Sequence, residues 1–148
     1  MSDQFSIRNA VPGDLNSIIE LDHASSLESK PAYWQGIFSN YVAVERKDRL
    51  LLVAEFNGKI VGFIIGEVRA WEFGSPPCGW VIAIAVSPNA REISTGKHLF
   101  EELTARLKQA GVSTVRTMVD LDNKLLLSFF RSMGLRTGTY IELEKQLD

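Results

Sequence analysis

The sequence predicts an α/β fold, with one domain built on a mixed, mostly antiparallel central sheet and helices on both faces. Three observations support it. Apolar positions recur with a helical period up to Tyr41 and with a strand period over residues 50–68. Asn57-Gly58 separates two β-rich runs, as is typical of a hairpin. Residues 80–86 are continuously apolar, which indicates a strand buried on both faces and central in the sheet.

Local signals set the individual elements. A short strand opens the chain, and Pro12-Gly13 ends it just before Asp14, which favours a helix N-terminus. Pro31 can occupy the first turn of a second helix, and Gly111 follows a later helical stretch as glycine does at helix C-termini. In chain order the predicted elements are strand 5–8, helix 15–22, helix 31–41, strands 50–56, 60–68 and 80–86, helix 94–110, strand 112–119, a helix through 125–130 and strand 137–143.

The composition limits the classes of protein to consider. A chain of 148 residues is the size of one domain, and 45% hydrophobic with 23% charged residues is typical of a globular protein. A net charge of −2 argues against a protein whose main task is to hold nucleic acid or an anionic membrane. The single cysteine, Cys78, excludes an internal disulfide and suits a reducing compartment.

The chain also lacks recognisable targeting signals. Its N-terminus has no signal-peptide pattern, and no apolar run approaches the ~18 residues that a membrane span needs. We therefore expect residues 1–148 to form one cytoplasmic domain with no nucleic-acid or membrane partner. A homodimer is one option for its oligomeric state.

The most informative segment joins the apolar strand at residues 80–86 to the helix that begins near Ser94. Small residues and an open helix N-terminus leave backbone N–H groups pointing outward, with the positive end of the helix dipole behind them. This junction suits a phosphate group, although a plain strand-to-helix turn explains the same local pattern.

The stretch Ser94-Thr95-Gly96-Lys97 resembles part of a nucleoside-triphosphate loop. Such a loop also needs glycine five residues before Gly96, and serine or threonine after the lysine. The sequence has Arg91 and His98 at those positions. We therefore reject a nucleoside triphosphatase.

A second segment, residues 123–135, taken alone predicts only a capped helix with an apolar face. Together with the loop that begins at Arg91, and separated from it by one helix and one strand, it resembles the GCN5-related N-acetyltransferase (GNAT) family. The resemblance covers essentially the whole chain, including the opening β-α-α unit and the hairpin at Asn57-Gly58. It implies a GNAT-like fold with acetyl-CoA as cosubstrate.

The family's pyrophosphate loop has Arg or Gln, two residues, Gly, one residue, then Gly or Ala. Arg91, Ser94 and Gly96 follow this pattern, with serine at one of the small positions. The resemblance implies that backbone of the central strand pairs with the pantetheine arm and that residues of the loop and of the second segment complete the site. The implied coenzyme-binding residues are Ile84, Ala85, Val86, Arg91, Glu92, Ser94, Thr95, Gly96, Lys97, Asn123 and Phe130.

Phe130 departs from the family pattern, which commonly has tyrosine there as the acid that protonates the departing thiolate. Phenylalanine has no hydroxyl, so we interpret Phe130 as a core aromatic packed beside the coenzyme. A thiol with a pKa near ~8.5 is already a tolerable leaving group, and the missing acid need not abolish turnover.

Acetyl transfer to an amine also needs a group that removes the amine's proton. The family often uses a carboxylate acting through water, and none lies within residues 80–86. Glu67, late in the preceding strand, and Glu72, in the loop after it, are the nearest candidates, with a solvated surface charge as the alternative for each. Further candidate proton carriers are Tyr140 on the closing strand, Tyr33 and His23.

In a GNAT-like fold, the opening helical segment and the loop after the second hairpin strand are expected to supply the acceptor pocket. Tyr33 and Trp34 lie in the opening helical segment, and Trp71 and Phe73 lie in the loop after the second hairpin strand. Aromatic rings with one or two carboxylates suit a cationic amine or a peptide amino terminus. The alternative is that these rings belong to the core or its rim.

Cys78 and His98 are not expected to take part in the chemistry. No histidine adjoins Cys78 in the sequence, so a small residue after Pro76-Pro77 is the better interpretation than a nucleophile. His98 is interpreted as a surface residue. With two histidines and no paired carboxylate motif, a metal site is not expected.

The leading hypothesis is therefore an acyl-CoA-dependent N-acyltransferase. It would move acetyl from acetyl-CoA to a primary amine, on a small molecule or a peptide N-terminus, by direct attack. The alternative is a non-catalytic acyl-CoA-binding or sensing domain, which Phe130 and the carboxylate-free strand at residues 80–86 favour.

Overall fold

The computed structural model describes residues 3–148, with the side chains of all of them except residues 91–93. These residues form two compact units, residues 3–118 and residues 119–148. Among the described residues, none of the helices has both the length and the apolar content that crossing a membrane requires.

The first unit is built on a five-stranded sheet. Its elements are β1 (Phe5–Asn9), α1 (Leu15–Ser26), α2 (Pro31–Tyr41), β2 (Arg49–Phe56), β3 (Lys59–Arg69), β4 (Cys78–Val86), α3 (Thr95–Gln109) and β5 (Val115–Arg116). The strands lie in the order β1-β2-β3-β4-β5, and every neighbouring pair is antiparallel except β4 and β5. The mixed, mostly antiparallel α/β sheet predicted from the sequence is confirmed.

The hairpin between β2 and β3 turns at Asn57-Gly58, as predicted. Phe56 pairs with Lys59, and the two residues between them have φ of 50° and 83°. Two central residues with positive φ are the mark of a type I′ turn, whose twist matches that of the flanking strands. Asn and Gly tolerate this conformation best, so the local sequence determines the register of the hairpin.

One face of the sheet is covered by α1 and α2. Phe63 and Ile65 on β3 point to this face because alternate residues of a strand share a side. They pack with Trp34 and Phe38, which lie one helical turn apart on α2. The buried core on this face comprises Ala10, Ile18, Trp34, Phe38, Leu51, Val53, Phe63, Ile65 and Ala85.

The opposite face is covered by α3. Its buried leucines, Leu99, Leu103 and Leu107, recur every fourth residue and so form one stripe. They lie over glycines: a Cβ added at Gly66 or Gly79 would lie 2.7 Å from a methyl carbon of Leu103 or Leu107. The absence of side chains at these glycines lets the helix pack close to the strands.

Asp14 precedes α1, but it does not cap that helix through its side chain. Its buried carboxylate instead accepts hydrogen bonds from the N–H of Val11, at 2.9 Å, and from the guanidinium of Arg8, at 2.8 Å. Burial by itself would raise the pKa of Asp14, but these two partners lower it overall. The ion pair thus fixes the chain between β1 and α1.

The second unit contains α4 (Lys124–Ser132). Asn123 caps it by accepting a hydrogen bond from the N–H of Leu126 at 3.1 Å, which satisfies one of the open donors of the first turn. Asp122 and Asn123 are both side chains that can cap a helix here, and the structure uses Asn123.

Two predicted strands differ from the structure. The strand predicted at residues 112–119 is shortened to Val115–Arg116, and residues 137–143 form no regular element in the described chain. A strand exists only where a neighbour supplies hydrogen-bond partners, and the second unit by itself has no second strand for residues 137–143. The alternating pattern of residues 137–143 is therefore not sufficient to form a strand.

Candidate active site

An opening between β4 and β5 is the main feature of the first unit. The two strands pair only at Gly79–Val115 and Trp80–Arg116. The hydroxyl of Thr117 adds one further bond, donating to the carbonyl of Val81 at 3.0 Å. In the part of the chain that the structure describes, residues 82–86 have a strand neighbour on the β3 side alone. One backbone edge of these residues is therefore outside the sheet ladder.

A β-bulge at Ile82 lies where the opening begins. On β3, Ile65 and Gly66 are consecutive, but their partners on β4 are Ala83 and Val81, so Ile82 is an extra residue. A bulge bends its strand and increases the local twist. It thus accounts for β4 leaving β5 at this point while its pairing with β3 continues.

The strand then runs into a helix N-terminus. After Val86 the chain forms a short 3₁₀ turn at Pro88–Ile93 and begins α3 at Thr95. The side chain of Thr95 is fully buried, and its hydroxyl donates to the carbonyl of Ala90 at 2.8 Å. This bond ties the start of the helix to the turn before it.

Ser94 joins the turn to α3 in a left-handed conformation, with φ of 57°. This is one of the two small positions of the loop, and a left-handed backbone is where glycine has the least strain. The carbonyl of Ser94 accepts from the N–H of His98, so the N–H groups of residues 95–97 precede the regular helical ladder. They lie at the positive end of the helix dipole, which suits an anionic group. Of the sequence-predicted loop residues, the Arg91 and Glu92 side chains lie outside the described residues.

Glu67 is not the solvated surface charge that the sequence offered as its alternative role. It lies near the end of β3 and is 8% exposed. The hydroxyl of Tyr41 donates to its Oε2 at 2.8 Å, and Nε of Arg69 donates to its Oε1 at 2.7 Å. Nε of Arg49 lies 3.9 Å from the same Oε2. Both carboxylate oxygens are therefore engaged.

Tyr41 responds to this environment. Burial raises its pKa, the hydrogen bond to the Glu67 carboxylate raises it further, and the result is about 12. Arg49 lies over the Tyr41 ring at 5.7 Å from its centroid. Tyr41 thus remains a protonated donor at neutral pH.

Glu72, the second base candidate, is held by the same arginine. Nη1 of Arg69 donates to Oε2 of Glu72 at 2.9 Å, while its Nε binds Glu67. Arg69 therefore bridges the two candidate carboxylates. Arg69 was not among the predicted site residues, although its place two positions after Glu67 on a strand puts both side chains on the same face.

The four aromatic candidates divide into two groups. Trp34 is 1% exposed, its ring packs edge-on against Phe63, and its Nε1 donates to Asp22 at 3.0 Å. Trp34 thus packs in the core, as in the alternative interpretation of the aromatic residues. Tyr33 packs against it and is half-exposed.

Trp71 and Phe73 are 71% and 78% exposed. Both have positive φ, at 69° and 57°, as does the next residue, Gly74. Large side chains rarely adopt this conformation, which costs about 1–2 kcal/mol for each non-glycine residue. The aromatic loop, residues 71–75, is therefore strained and must be held by other contacts.

Sequence comparison then identifies the family. Residues 15–135 match the model of the acetyltransferase (GNAT) family. The chain belongs to the GNAT family. The resemblance inferred from the two segments at residues 91–96 and 123–135 is thus confirmed.

Relatives in the GNAT family have names that refer to different acetyl acceptors. An L-2,4-diaminobutyric acid acetyltransferase from Nocardia farcinica is 33% identical over 97 residues, or 66% of this chain and 49% of the relative. An N-alpha-acetyltransferase from Sulfurisphaera tokodaii is 24% identical over 141 residues, or 90% of this chain and 81% of the relative. The chain spans about half or less of the length of most of the curated relatives it matches.

Solved GNAT structures share the fold. The aminoglycoside N-acetyltransferase AAC(6')-Iy in complex with CoA has a TM-score of 0.83 to this chain at 13% identity. The match covers 99% of this chain and 97% of that one. At this identity the likeness shows the architecture alone.

The second unit carries the other predicted GNAT site residues. Asn123 uses its side chain to cap α4, and Phe130 on that helix is 3% exposed and packs against Phe129 with ring centroids 5.3 Å apart. Tyr140 is half-exposed. Their roles at the coenzyme and in proton transfer stay predictions.

Cys78 and His98 also lie where the first unit gives them local partners. Cys78 is buried, and Nη1 of Arg116 lies 3.3 Å from its sulfur. The His98 ring packs against Phe5 with centroids 5.3 Å apart.

Proposed function

We propose that this GNAT chain transfers an acetyl group from acetyl-CoA to a primary amine by direct attack. The observation that carries the proposal is the open edge of β4 at residues 82–86, which runs directly into the N-terminus of α3. An extended arm with amide groups can pair with such an edge, and a pyrophosphate can lie at the helix start beyond it.

From Val86 back to Ile82 the strand spans about 13 Å, at ~3.3 Å per residue. In the proposed arrangement the N–H groups of residues 91–97 hold the pyrophosphate, and the backbone of Ile84, Ala85 and Val86 pairs with the pantetheine arm. The thioester then lies beside Ile84, on the side of the bulge at Ile82.

The reaction joins the acceptor nitrogen to the thioester carbon. The neutral amine attacks that carbon, and a backbone N–H near Ile84 donates to the developing oxyanion. The C–S bond then breaks, acetyl remains on nitrogen, and coenzyme A leaves as the thiolate. The proton lost by nitrogen passes to water, and Tyr140 is the proposed carrier among the three candidates from the sequence, because Glu67 and Glu72 are both bound to Arg69. Because Phe130 has no hydroxyl, the thiolate is protonated by solvent.

The acceptor would approach from the α1–α2 face of the sheet. The α3 face is closed by the leucines of that helix, whereas Glu67 lies on the other face and pairs with Trp80, two residues before the bulge. The half-exposed Tyr33 and the exposed Trp71 and Phe73 would line its path. Amino acids, peptide N-termini and aminoglycosides are the acceptor classes that the named relatives suggest.

A binding experiment tests the coenzyme site. Calorimetry should show that acetyl-CoA binds the wild-type protein and that Gly96→Val weakens binding by more than about tenfold, because a β-branched side chain crowds the helix start. Gly36→Val is the matched control. It makes the same change in another helix, at a position where an added Cβ has no other atom within 4 Å. Equal affinity in folded Gly96→Val and Gly36→Val proteins would overturn the site.

A thiol-release assay tests the reaction. Acetyl-CoA is offered with L-2,4-diaminobutyrate, a peptide with a free N-terminus and an aminoglycoside, and release above the acceptor-free rate is expected with at least one. The engagement of both Glu67 oxygens and the absence of a hydroxyl at Phe130 favour one competing function, a domain that binds acyl-CoA without turnover. Tight binding with no release on any acceptor would support that function.

A further inference from the structure

A chain of polar contacts connects the two segments expected to line the acceptor site. It begins on α2, where Tyr41 donates to Oε2 of Glu67 at 2.8 Å. It continues from Oε1 of Glu67 to Nε of Arg69 at 2.7 Å, and from Nη1 of Arg69 to Oε2 of Glu72 at 2.9 Å. Glu72 belongs to the aromatic loop, residues 71–75.

Glu67 is the buried member of this series of contacts, whereas the side chains of Arg69 and Glu72 are 44% and 48% exposed. Glu67 is buried beneath Tyr41, and the strand neighbour Trp80 lies beside it. Hydrogen bonds to a charged group are about twice as strong as neutral ones, and they lose less to solvent when one partner is buried. The bonds of Glu67 therefore fix the direction of the Arg69 guanidinium.

The far end of the chain anchors the aromatic loop at its centre. Glu72 lies between Trp71 and Phe73, the two residues with strained backbone. Within the loop, the N–H of Trp71 donates to the carbonyl of Ser75 at 2.8 Å, and the N–H of Ser75 donates to the carbonyl of Glu72 at 3.0 Å. Such strained conformations persist only where the surroundings hold them.

We propose that Glu67 is a positioning residue, which holds the aromatic loop in its acceptor-binding conformation through Arg69 and Glu72. The proposal rests on the proposed function for its catalytic consequence, since the loop is taken to contact the acceptor. Because both Glu67 oxygens are already bound, its role is to orient Arg69, not to accept the acceptor's proton. Its effect falls on acceptor binding and leaves the coenzyme site unchanged.

Hydrogen exchange tests the structural half without any acceptor. In Glu67→Gln and Arg69→Gln proteins, amide exchange in peptides covering residues 70–76 should rise by about tenfold, while peptides from α3 keep the wild-type rate. Glu55→Gln is the matched control, because it also removes a carboxylate from a strand. The partner of Glu55 is Arg8, at 3.5 Å, and both residues are far from the aromatic loop in the sequence. Unchanged exchange at residues 70–76 in both test variants would overturn the proposal.

Steady-state kinetics tests the catalytic half, with the first acceptor among diaminobutyrate, the peptide and the aminoglycoside that wild type turns over. Glu67→Gln should raise the acceptor KM by about tenfold, change kcat by less than about threefold and leave the KM for acetyl-CoA unchanged. Glu72→Gln should reproduce this pattern, and the double variant should be no worse than either single one.

The outcomes separate the proposal from the function on which it rests. A fall in kcat of more than about a hundredfold with an unchanged acceptor KM, and with a shifted pH profile in Glu67→Gln alone, would identify Glu67 as the base and overturn its positioning role. If wild type turns over none of the acceptors, the proposed enzyme function fails, while hydrogen exchange still decides whether Glu67 holds the loop.

Discussion

Leu103 packs so closely over Gly66 that a Cβ added to this glycine would lie 2.7 Å from a methyl carbon of the leucine. The contact recurs along α3, where Leu107 lies over Gly79 in the same way. The distance between helix and sheet is thus set by glycines on the strands as much as by leucines on the helix.

Replacing Gly66 with alanine should destabilise the protein by about 1–3 kcal/mol, because the added methyl forces Leu103 or the helix to move. Urea unfolding measures the change. Gly36→Ala is the control, since nothing lies within 4 Å of Gly36 and alanine favours a helix by about 0.5–1 kcal/mol. Equal stability of the two variants would mean that α3 adjusts to a larger residue at no cost.

Tyr41 should titrate with a pKa of about 12, later than an unperturbed phenol. Ultraviolet difference absorbance follows the phenolate signal of the three tyrosines, and the late fraction should disappear in Tyr41→Phe but persist in Tyr33→Phe. A late fraction that persists undiminished in Tyr41→Phe would show that it does not arise from Tyr41.

The same titration predicts a pH dependence of stability. The folded protein holds the Tyr41 proton more tightly than the unfolded chain does, so the resulting stabilisation is complete below pH 10 and is lost between pH 10 and about 12. Wild type should therefore lose more free energy of unfolding over this interval than Tyr41→Phe does. Parallel losses in the two proteins would contradict the linkage.

Ser94 adopts φ of 57°. The effect of a replacement on stability should therefore depend on how well the new residue tolerates positive φ. Ser94→Gly should leave stability within about 1 kcal/mol of wild type, since relief of strain is offset by a freer unfolded chain. Ser94→Val should cost about 1–2 kcal/mol, because a β-branched residue is poorly suited to positive φ. Thermal unfolding compares them, and equal losses for both would show that the conformation of Ser94 is not required.

Phe130→Tyr tests where the resemblance places the missing acid. Turnover should stay level or rise, because a phenol is added without removing a proton donor, and acetyl-CoA affinity should change little since the ring is kept. Phe130 is buried, so a hydroxyl left without a partner would cost about 1–3 kcal/mol of stability. Loss of turnover with fold and affinity intact would show that Phe130 does not occupy the acid position.

Sequence patterns were sufficient wherever the cause of structure is local. The Asn57-Gly58 turn follows from the conformations those two residues allow, and the cap of α4 follows from the short side chain of Asn123. The start of α3 was likewise predictable, because a buried strand, a loop of small residues and a helix adjoin one another in the sequence.

Features that depend on distant partners were not predictable. Residues 112–119 have the composition of a strand, but only Val115 and Arg116 pair, because β4 turns away beyond Trp80. Glu67 resembles a surface carboxylate in the sequence, yet its burial depends on Tyr41, which lies 26 positions earlier on another element. No local pattern encodes either relationship.

Every pair between β3 and β4 would survive the deletion of Ile82. Ile65 and Gly66 already face Ala83 and Val81, so removing the residue between those partners would leave one regular ladder with both faces unchanged. Without the bulge, β4 would be straighter. It would also be more stable than the natural strand, because its hydrogen bonds to β3 would be regular. Selection for stability alone would therefore discard Ile82, and a chain that needs β4 to diverge from β5 must keep it, at the cost of a less regular sheet.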